Sequence, residues 1–172
     1  AGVLAMNLKL RHSMKHVRKS VLLWYSARQM YDLVTQVQAY PEFLPWCDRA
    51  EVLEQTAAGM TARLGLAFSG LRHSFTTRNT HQSGRMVTVE LVDGPFSRLE
   101  GRWAFTPVGG TPSDTLQTQD DADPCACRVE LDLQYALRTG PLELVLSPMF
   151  DRVANTLVDS FVKRAEAVYG AR

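Results

Sequence analysis

The longest hydrophobic pattern in the chain occupies residues 141–170. Apolar side chains recur there every three or four residues, which is the spacing of a helix with one buried face; they are Leu142, Leu146, Met149, Phe150, Val153, Leu157, Phe161, Ala165 and Val168. Most positions between them are polar or charged. The pattern therefore predicts a long amphipathic helix that needs a large apolar partner. Pro141 suits a first helical turn, whereas Pro148 predicts a kink or a break within the helix.

Between residues 48 and 138 the hydrophobic period falls to two, the period of a strand with one buried face. In the clearest segment, Cys127–Leu137, apolar and mainly polar residues alternate along the whole length. Turn-forming residues separate such segments, and the turn Asp93-Gly94-Pro95 is expected to leave Phe96 exposed. Together the segments predict an antiparallel sheet of six or seven strands, apolar toward the helix and polar on its outer face.

The chain before this sheet predicts one further strand and one or two short helices. Val17–Trp24 is rich in β-branched and aromatic residues, which favour a strand. Ser26 and Gln29 have the spacing of a capping box and so predict the start of a helix. The next stretch, Tyr40–Cys47, combines four large apolar side chains with two prolines. It favours a hydrophobic corner packed on the core, and the alternative is a mobile aromatic gate over a cavity.

Composition and charge fit a globular protein with an uneven charge distribution. Of 172 residues, 45% are hydrophobic and 22% are charged, which predicts a single domain over residues 14–172. Residues 1–13 are expected to be a disordered or upstream extension. Residues 1–19 carry five basic side chains and no acidic one, which leaves 14 basic and 18 acidic side chains in the remainder. This mildly acidic body argues against a dedicated nucleic-acid binder held mainly by phosphate charge.

One long connection interrupts the predicted strands. The segment from Pro107 to Ala126 is poor in large apolar residues and is expected to form a flexible acidic excursion.

The three cysteines lack the paired spacing of a disulfide framework, and no apolar run approaches the roughly 20 residues of a membrane span. We therefore expect reduced thiols and a cytoplasmic location, with peripheral contact at the inner membrane left open.

Catalytic patterns are scarce in this sequence. It contains no phosphate-binding glycine loop, no helical histidine pair with glutamate and no nucleophile elbow. Cys125 and Cys127 lie close together, but no second pair completes a zinc site. His73 lies on the apolar side of its strand, which favours a core or pocket histidine over a polar anchor for a ligand oxygen. We therefore expect neither a catalytic residue, nor a metal, nor a required cofactor.

Bulky apolar residues, by contrast, are plentiful at positions expected to face inward. A sheet curved around one long helix can enclose an apolar tunnel, in which each buried methylene of a lipid tail contributes about 0.8 kcal/mol. The candidate cavity and lid residues are Tyr40, Phe43, Leu44, Trp46, Phe68, His73, Phe75, Leu91, Phe96, Trp103, Phe105, Leu131, Leu133, Met149, Val153 and Leu157. Arg72 and Arg78 share the outer face of one strand, where they either face solvent or contact an anionic partner such as RNA.

Four separated motifs resemble the coenzyme Q-binding protein family within the polyketide cyclase/dehydrase superfamily, whose bacterial branch includes RatA-type ribosome association toxins. They are Tyr40–Cys47, Val92–Phe96, Leu99-x-x-x-Trp103-x-Phe105-x-Pro107 and Phe161-x-x-Arg164-Ala165-x-x-x-Tyr169-Gly170. Met60-Thr61-Ala62 and Phe75–Asn79 are similar to the toxin branch, whereas Trp46 after Pro45 is nearer to the ubiquinone-binding pattern. The resemblance implies an α+β START-like helix-grip fold, with a curved antiparallel sheet wrapped around the C-terminal helix.

The same resemblance implies two functions. The first is non-enzymatic binding of ubiquinone or a similar isoprenoid between sheet and helix, in support of respiration. The alternative is a toxin that binds the large ribosomal subunit and blocks its association with the small one, with Arg72 and Arg78 as candidate contacts and an antitoxin protein as a further partner.

Overall fold

The two hydrophobic periods fold into one sheet and one long helix. The computed structural model describes residues 14–109 and 124–172. Its elements in chain order are β1 (Lys15–Leu23), α1 (Ala27–Thr35), a 3₁₀-helix (Val37–Glu42), β2 (Cys47–Thr56), β3 (Gly59–Phe68), β4 (Leu71–Gln82), β5 (Met86–Asp93), β6 (Phe96–Pro107), β7 (Cys127–Leu137) and α2 (Pro141–Tyr169). The predicted α+β class, with a curved sheet against a C-terminal helix, is confirmed.

The sheet has seven antiparallel strands in the order β1-β7-β6-β5-β4-β3-β2. The first strand therefore pairs with the last, and β1 and β2 form the two edges. Register is regular between β3 and β4, whereas β2 shifts register against β3 at two places, between Cys47 and Ala50 and between Val52 and Glu54. Each strand from β2 to β5 is connected to the next one by a short turn, because the sequence has no long insertion between these strands.

Helix α1 begins where the capping box predicted. The Ser26 hydroxyl accepts a hydrogen bond from the Gln29 amide at 3.0 Å, and the Gln29 side chain accepts one from the Ser26 amide at 2.9 Å. The following 3₁₀-helix contains Tyr40 and Pro41. The Tyr40–Cys47 stretch thus starts as a tight helical turn and then leads directly into β2.

Of the predicted kink or break at Pro148, the break is wrong, because helix α2 runs without interruption from Pro141 to Tyr169. Proline lacks an amide hydrogen and leaves the carbonyl of the residue four positions earlier, Leu144, without its helical donor. Leu144 is 82% exposed, so water can supply that hydrogen bond and the helix continues. Its buried face consists of Leu146, Met149, Phe150, Val153, Ala154, Val158, Phe161 and Ala165.

Phe96 also differs from expectation, because it is only 1% exposed. It opens β6 on the inner face, where its ring meets Phe75 and Phe150 edge-on at centroid distances of 5.6 and 4.8 Å. Gly94 makes this possible: its φ is +151°, and a Cβ there would lie 2.6 Å from Phe75 Cβ. The turn thus packs the chain closely against β4 and directs Phe96 inward.

Two predicted segments fall wholly or largely outside the described residues, namely the extension 1–13 and the acidic excursion 107–126. The two ends of the excursion lie within the described residues, and there the Val108 amide donates a hydrogen bond to the Ala126 carbonyl at 3.0 Å. Among the described residues, no helix is both long and apolar enough to cross a membrane. Of the three cysteines, Cys47 and Cys127 are buried and Cys125 is exposed.

Candidate functional site

An apolar cavity of about 100 Å³ lies between the inner face of the sheet and α2. Half of the sixteen cavity and lid candidates line it: Tyr40, Trp46, Phe75, Trp103, Leu131, Leu133, Val153 and Leu157. The strands present alternate residues to the cavity and α2 closes it from the other side. Tyr40 and Trp46 form one wall.

The other candidates lie elsewhere. Leu44, Phe96, Phe105 and Met149 are buried in the surrounding core. Phe43 packs edge-on against Phe161 at 5.2 Å, and Leu91 is half-buried against the core.

Phe68 and His73 depart furthest from the expected placement. Phe68 is 39% exposed and is the last residue of β3, next to the hairpin that leads into β4. His73 lines a polar surface depression and not the apolar cavity.

The cavity also has lining residues that the sequence reasoning missed, and Gly101 is the most informative. It lies in the middle of β6, opposite Val89 on β5 and Leu133 on β7. A side chain there would occupy space that now belongs to the cavity, and an added Cβ would already approach Leu133 Cδ1 to 3.3 Å. A glycine interrupting an alternating strand was the available signal. The remaining missed lining residues are Val37, Ala62, Leu64, Thr77, Asn79, Val89, Leu99, Phe150 and Phe161.

Polar groups face the cavity at one place on β4. The Thr77 hydroxyl donates to Asn79 Oδ1 at 2.9 Å, and Thr77 is 3% exposed. This bond leaves the Asn79 amide nitrogen without a partner among residues 14–109 and 124–172. The pair is uncharged at every physiological pH, so it can orient a ligand carbonyl by hydrogen bonding alone.

The ionisable groups near the cavity stay protonated. Burial raises the pKa of Tyr40 above its ordinary value, and its hydroxyl donates to the Val34 carbonyl. Burial also raises the pKa of the Cys47 thiol to about 11. The described lining contains no Asp, Glu, His, Lys or Arg side chain. Elsewhere in the described part of the chain, no three His, Cys, Asp or Glu side chains come together as a metal site.

The size of the cavity limits what it holds in this conformation. An apolar cavity of about 150 Å³ accepts a benzene molecule, and the present cavity is smaller, at about 100 Å³. A quinone with an isoprenoid tail would therefore require the walls to move apart. Trp46, in the Tyr40–Cys47 wall, is only half-buried.

Arg72 and Arg78 both project from the outer face of β4 but do not form one patch. They are six residues apart, or about 20 Å along a strand. Arg72 lies 3.7 Å from Asp48 and lines one depression, whereas Arg78 is opposite Glu90 in the β4–β5 register and lines another.

A curved antiparallel sheet that holds a C-terminal helix, with a small apolar cavity between them, defines the START-like class of α+β proteins. Within that class, residues 23–162 match the model of the family described as polyketide cyclase/dehydrase and lipid transport, and the chain belongs to this family.

Similar proteins carry different names. The chain is 40% identical over 156 residues to the ribosome association toxin RatA of Pseudomonas aeruginosa, and the match covers 90% of this chain and 98% of that protein. It is 29% identical over 154 residues to the mitochondrial coenzyme Q-binding protein COQ10 homolog B of Xenopus laevis, and this match covers 88% of the chain and 58% of the relative.

A solved structure shares the fold at greater distance. The Zhui aromatase/cyclase from Streptomyces sp. R1128 superposes with a TM-score of 0.68 at 16% identity, over 89% of this chain and 94% of that one. At this identity the likeness concerns the fold alone.

Proposed function

We propose that the protein associates with the ribosome and, when abundant, inhibits translation by binding the large subunit and preventing its union with the small one. The observation that carries this proposal is the match to a protein named as a ribosome association toxin, at 40% identity over nearly the full length of both chains. The relative named for coenzyme Q binding is less similar, and this chain spans little more than half of it. Ribosome association implies a cytoplasmic protein and is compatible with an antitoxin partner.

Sucrose-gradient sedimentation of lysates from cells that express the protein at graded levels tests this proposal. We expect the protein in the large-subunit fractions, a smaller peak of assembled ribosomes and larger peaks of free subunits. Cells that express an unrelated protein to the same level provide the control. Unchanged gradients at high expression, with the protein remaining at the top, would contradict ribosome association.

A second candidate function is non-enzymatic binding of an apolar ligand such as an isoprenoid quinone, and the cavity favours it. Its lining is apolar except for a neutral hydroxyl–amide pair, and Gly101 keeps space open at its centre. A ligand carbonyl would receive a hydrogen bond from Asn79, and the tail would separate α2 from the sheet. Such a ligand could also bring the protein to the inner membrane as a peripheral protein.

Organic extraction followed by mass spectrometry tests ligand binding. We expect an apolar molecule from the wild type and much less from Leu157→Asp, which places a charge in the cavity wall. Leu144→Asp is the matched control on the same helix, because Leu144 is 82% exposed. The absence of any apolar molecule from gently purified wild type would remove this second candidate.

A further inference from the structure

Another concave site lies at one end of the sheet and shares no lining residue with the apolar cavity. It is an open depression of about 480 Å³ formed where β2 and β4 begin and β7 ends. Arg49, Arg72 and Arg138 line it together with His73, and we call it the arginine pocket. These residues are far apart in the sequence and meet only because the antiparallel order brings those strand ends together.

The arginine pocket carries a surplus of positive charge. Asp48 is the one carboxylate among its described lining residues, and its Oδ2 lies 3.7 Å from Arg72 Nε, which is a loose contact. Neither Arg49 nor Arg138 forms an ion pair within residues 14–109 and 124–172. With His73 neutral, the lining therefore has a formal charge of +2.

Several other arginines of the sheet each lie close to a carboxylate. Arg18 lies 3.5 Å from Asp132, Arg63 lies 3.4 Å from Glu51, and Arg98 lies 3.1 Å from Glu100. The chain beyond its first 19 residues is mildly acidic overall, but the lining of the arginine pocket is locally basic.

Backbone contacts hold part of the arginine pocket in place. The Arg138 amide donates to the Pro95 carbonyl at 2.9 Å, and Arg138 Nε donates to the Phe96 carbonyl at 3.2 Å. These bonds fix one edge of the guanidinium and leave its terminal nitrogens for another acceptor. Asp48 can lie against the sheet because position 65 is glycine: a Cβ there would come within 2.1 Å of its Oδ1.

We propose that Arg49, Arg72 and Arg138 bind phosphate groups of RNA, so that the arginine pocket is a contact of this protein with ribosomal RNA. Guanidinium groups match phosphate oxygens in a bidentate geometry, and three of them around an open depression suit successive phosphates of a backbone better than one small anion. The assignment of ribosomal RNA rests on the proposed ribosome association. It retains Arg72 from the two arginines that the sequence indicated and replaces Arg78 with Arg49 and Arg138.

A pair of charge-matched triple variants tests this proposal. The pocket variant carries Arg49→Gln, Arg72→Gln and Arg138→Gln, and the control carries Arg18→Gln, Arg63→Gln and Arg98→Gln, so both lose three positive charges. Binding is measured to purified large ribosomal subunits by cosedimentation and to protein-free ribosomal RNA by filter retention, each over a range of salt concentrations. Thermal unfolding verifies the fold, and the double variant Arg49→Gln with Arg72→Gln replaces the triple if Arg138→Gln unfolds the protein.

We expect the pocket variant to bind subunits and RNA at least about 10-fold more weakly. Each phosphate contact contributes roughly 0.7 to 0.9 to the slope of log affinity against log salt concentration, so the loss of three contacts should make that slope shallower by about 2 to 3. The control should stay within about twofold of wild type. Equal binding by wild type and pocket variant would overturn the arginine pocket while leaving ribosome association intact.

Two further results separate this inference from the proposed function. If wild type does not sediment with subunits but binds protein-free RNA in a manner that the pocket variant loses, ribosome association fails and the phosphate site stands. If wild type binds neither, both fail. Binding of wild type to phosphatidylglycerol vesicles but not to RNA, again lost in the pocket variant, would identify a lipid headgroup as the phosphate source and overturn the RNA assignment.

Discussion

The Cys47 thiol opens β2 at 3% exposure, and its sulfur donates to the Arg49 carbonyl at 3.3 Å. With its pKa raised to about 11, only about one thiol in a thousand is ionised at about pH 8. Cys127 is fully buried, whereas Cys125 is exposed. We predict that an aromatic disulfide reagent labels one thiol rapidly in the native protein and all three after denaturation. Cys125→Ser should abolish the rapid phase, and fast native labelling of Cys47 would contradict this.

His81 gives a prediction about pH. Its ring lies on the inner face of β4, edge-on to Tyr31 at 6.1 Å, and its Nε2 is buried without a hydrogen-bond partner in the described part of the chain. Burial lowers the pKa of His81 from its ordinary value of about 6.5. The unfolded chain therefore takes up this proton before the folded chain does, so stability is present above about pH 6.5 and lost as pH falls through the folded pKa.

Urea unfolding of wild type and His81→Gln at about pH 7.5 and about pH 5 measures this effect. Wild type should lose more of its free energy of unfolding on acidification than the variant, because only wild type carries the suppressed titration at position 81. Contributions from all other groups are shared by both proteins and cancel in the comparison. Identical losses would show that His81 titrates normally in the folded state.

At the scale of elements, α2 shows that a helix can continue through an internal proline when the residue four positions earlier is exposed. Restoring the amide should still be favourable, because proline is about 3 kcal/mol less favourable than alanine within a helix. We predict that Pro148→Ala raises the free energy of unfolding by about 1 to 3 kcal/mol in urea titrations. Pro141→Ala is the control, since a first-turn proline interrupts no helical hydrogen bond and its change should stay below about 1 kcal/mol. A destabilised Pro148→Ala variant would mean that the proline serves packing.

Periodicity predicted which residues face inward, but it did not predict which of them border the cavity. Alternation identifies which face of a strand is buried, but it does not say how far along the strand the covering helix extends. Trp103 and Phe105 share the inner face of β6 with nearly parallel rings 6.3 Å apart. Trp103 borders the cavity, whereas Phe105 meets Tyr31 of α1 at 5.9 Å and is core. Only the position of α1 over the sheet distinguishes them.

At the scale of the whole molecule, the cavity and the arginine pocket depend on segments distant in sequence. Gly101 opens the cavity only because β5 and β7 flank it, and Arg49 approaches Arg138 only because the chain returns to the same sheet end. The glycine itself is a local signal, but the pairing of its strand with β5 and β7 and the approach of the two arginines cannot be read from a local pattern. The apolar inner face and the C-terminal helix, in contrast, follow from local periodicity, and for that reason the architecture was predictable where the sites were only partly so.

The cavity also yields a prediction about stability. Val153 is 6% exposed on α2 and lines the free space, so the additional methylene of Val153→Leu has room to pack. We predict a gain of about 1 kcal/mol in the free energy of unfolding, together with less co-purified apolar ligand if the cavity is a binding site. Val158→Leu on the same helix is the control, because Val158 is equally buried but does not border the cavity. It should destabilise by about 1 to 3 kcal/mol through overpacking. A loss of stability in both variants would indicate that the cavity closes in solution.

The irregular register of β2 has a consequence for how copies of this chain behave at high concentration. An edge strand offers unpaired amides and carbonyls that invite another strand to add to the sheet, which is a route to aggregation. The two register shifts of β2 disturb the straight run that such addition needs, and Glu51 and Glu54 place charges along it. On the opposite edge, β1 carries Arg18 and Lys19. Both margins are thus protected against strand addition, which keeps separate molecules from joining their sheets even when the protein accumulates.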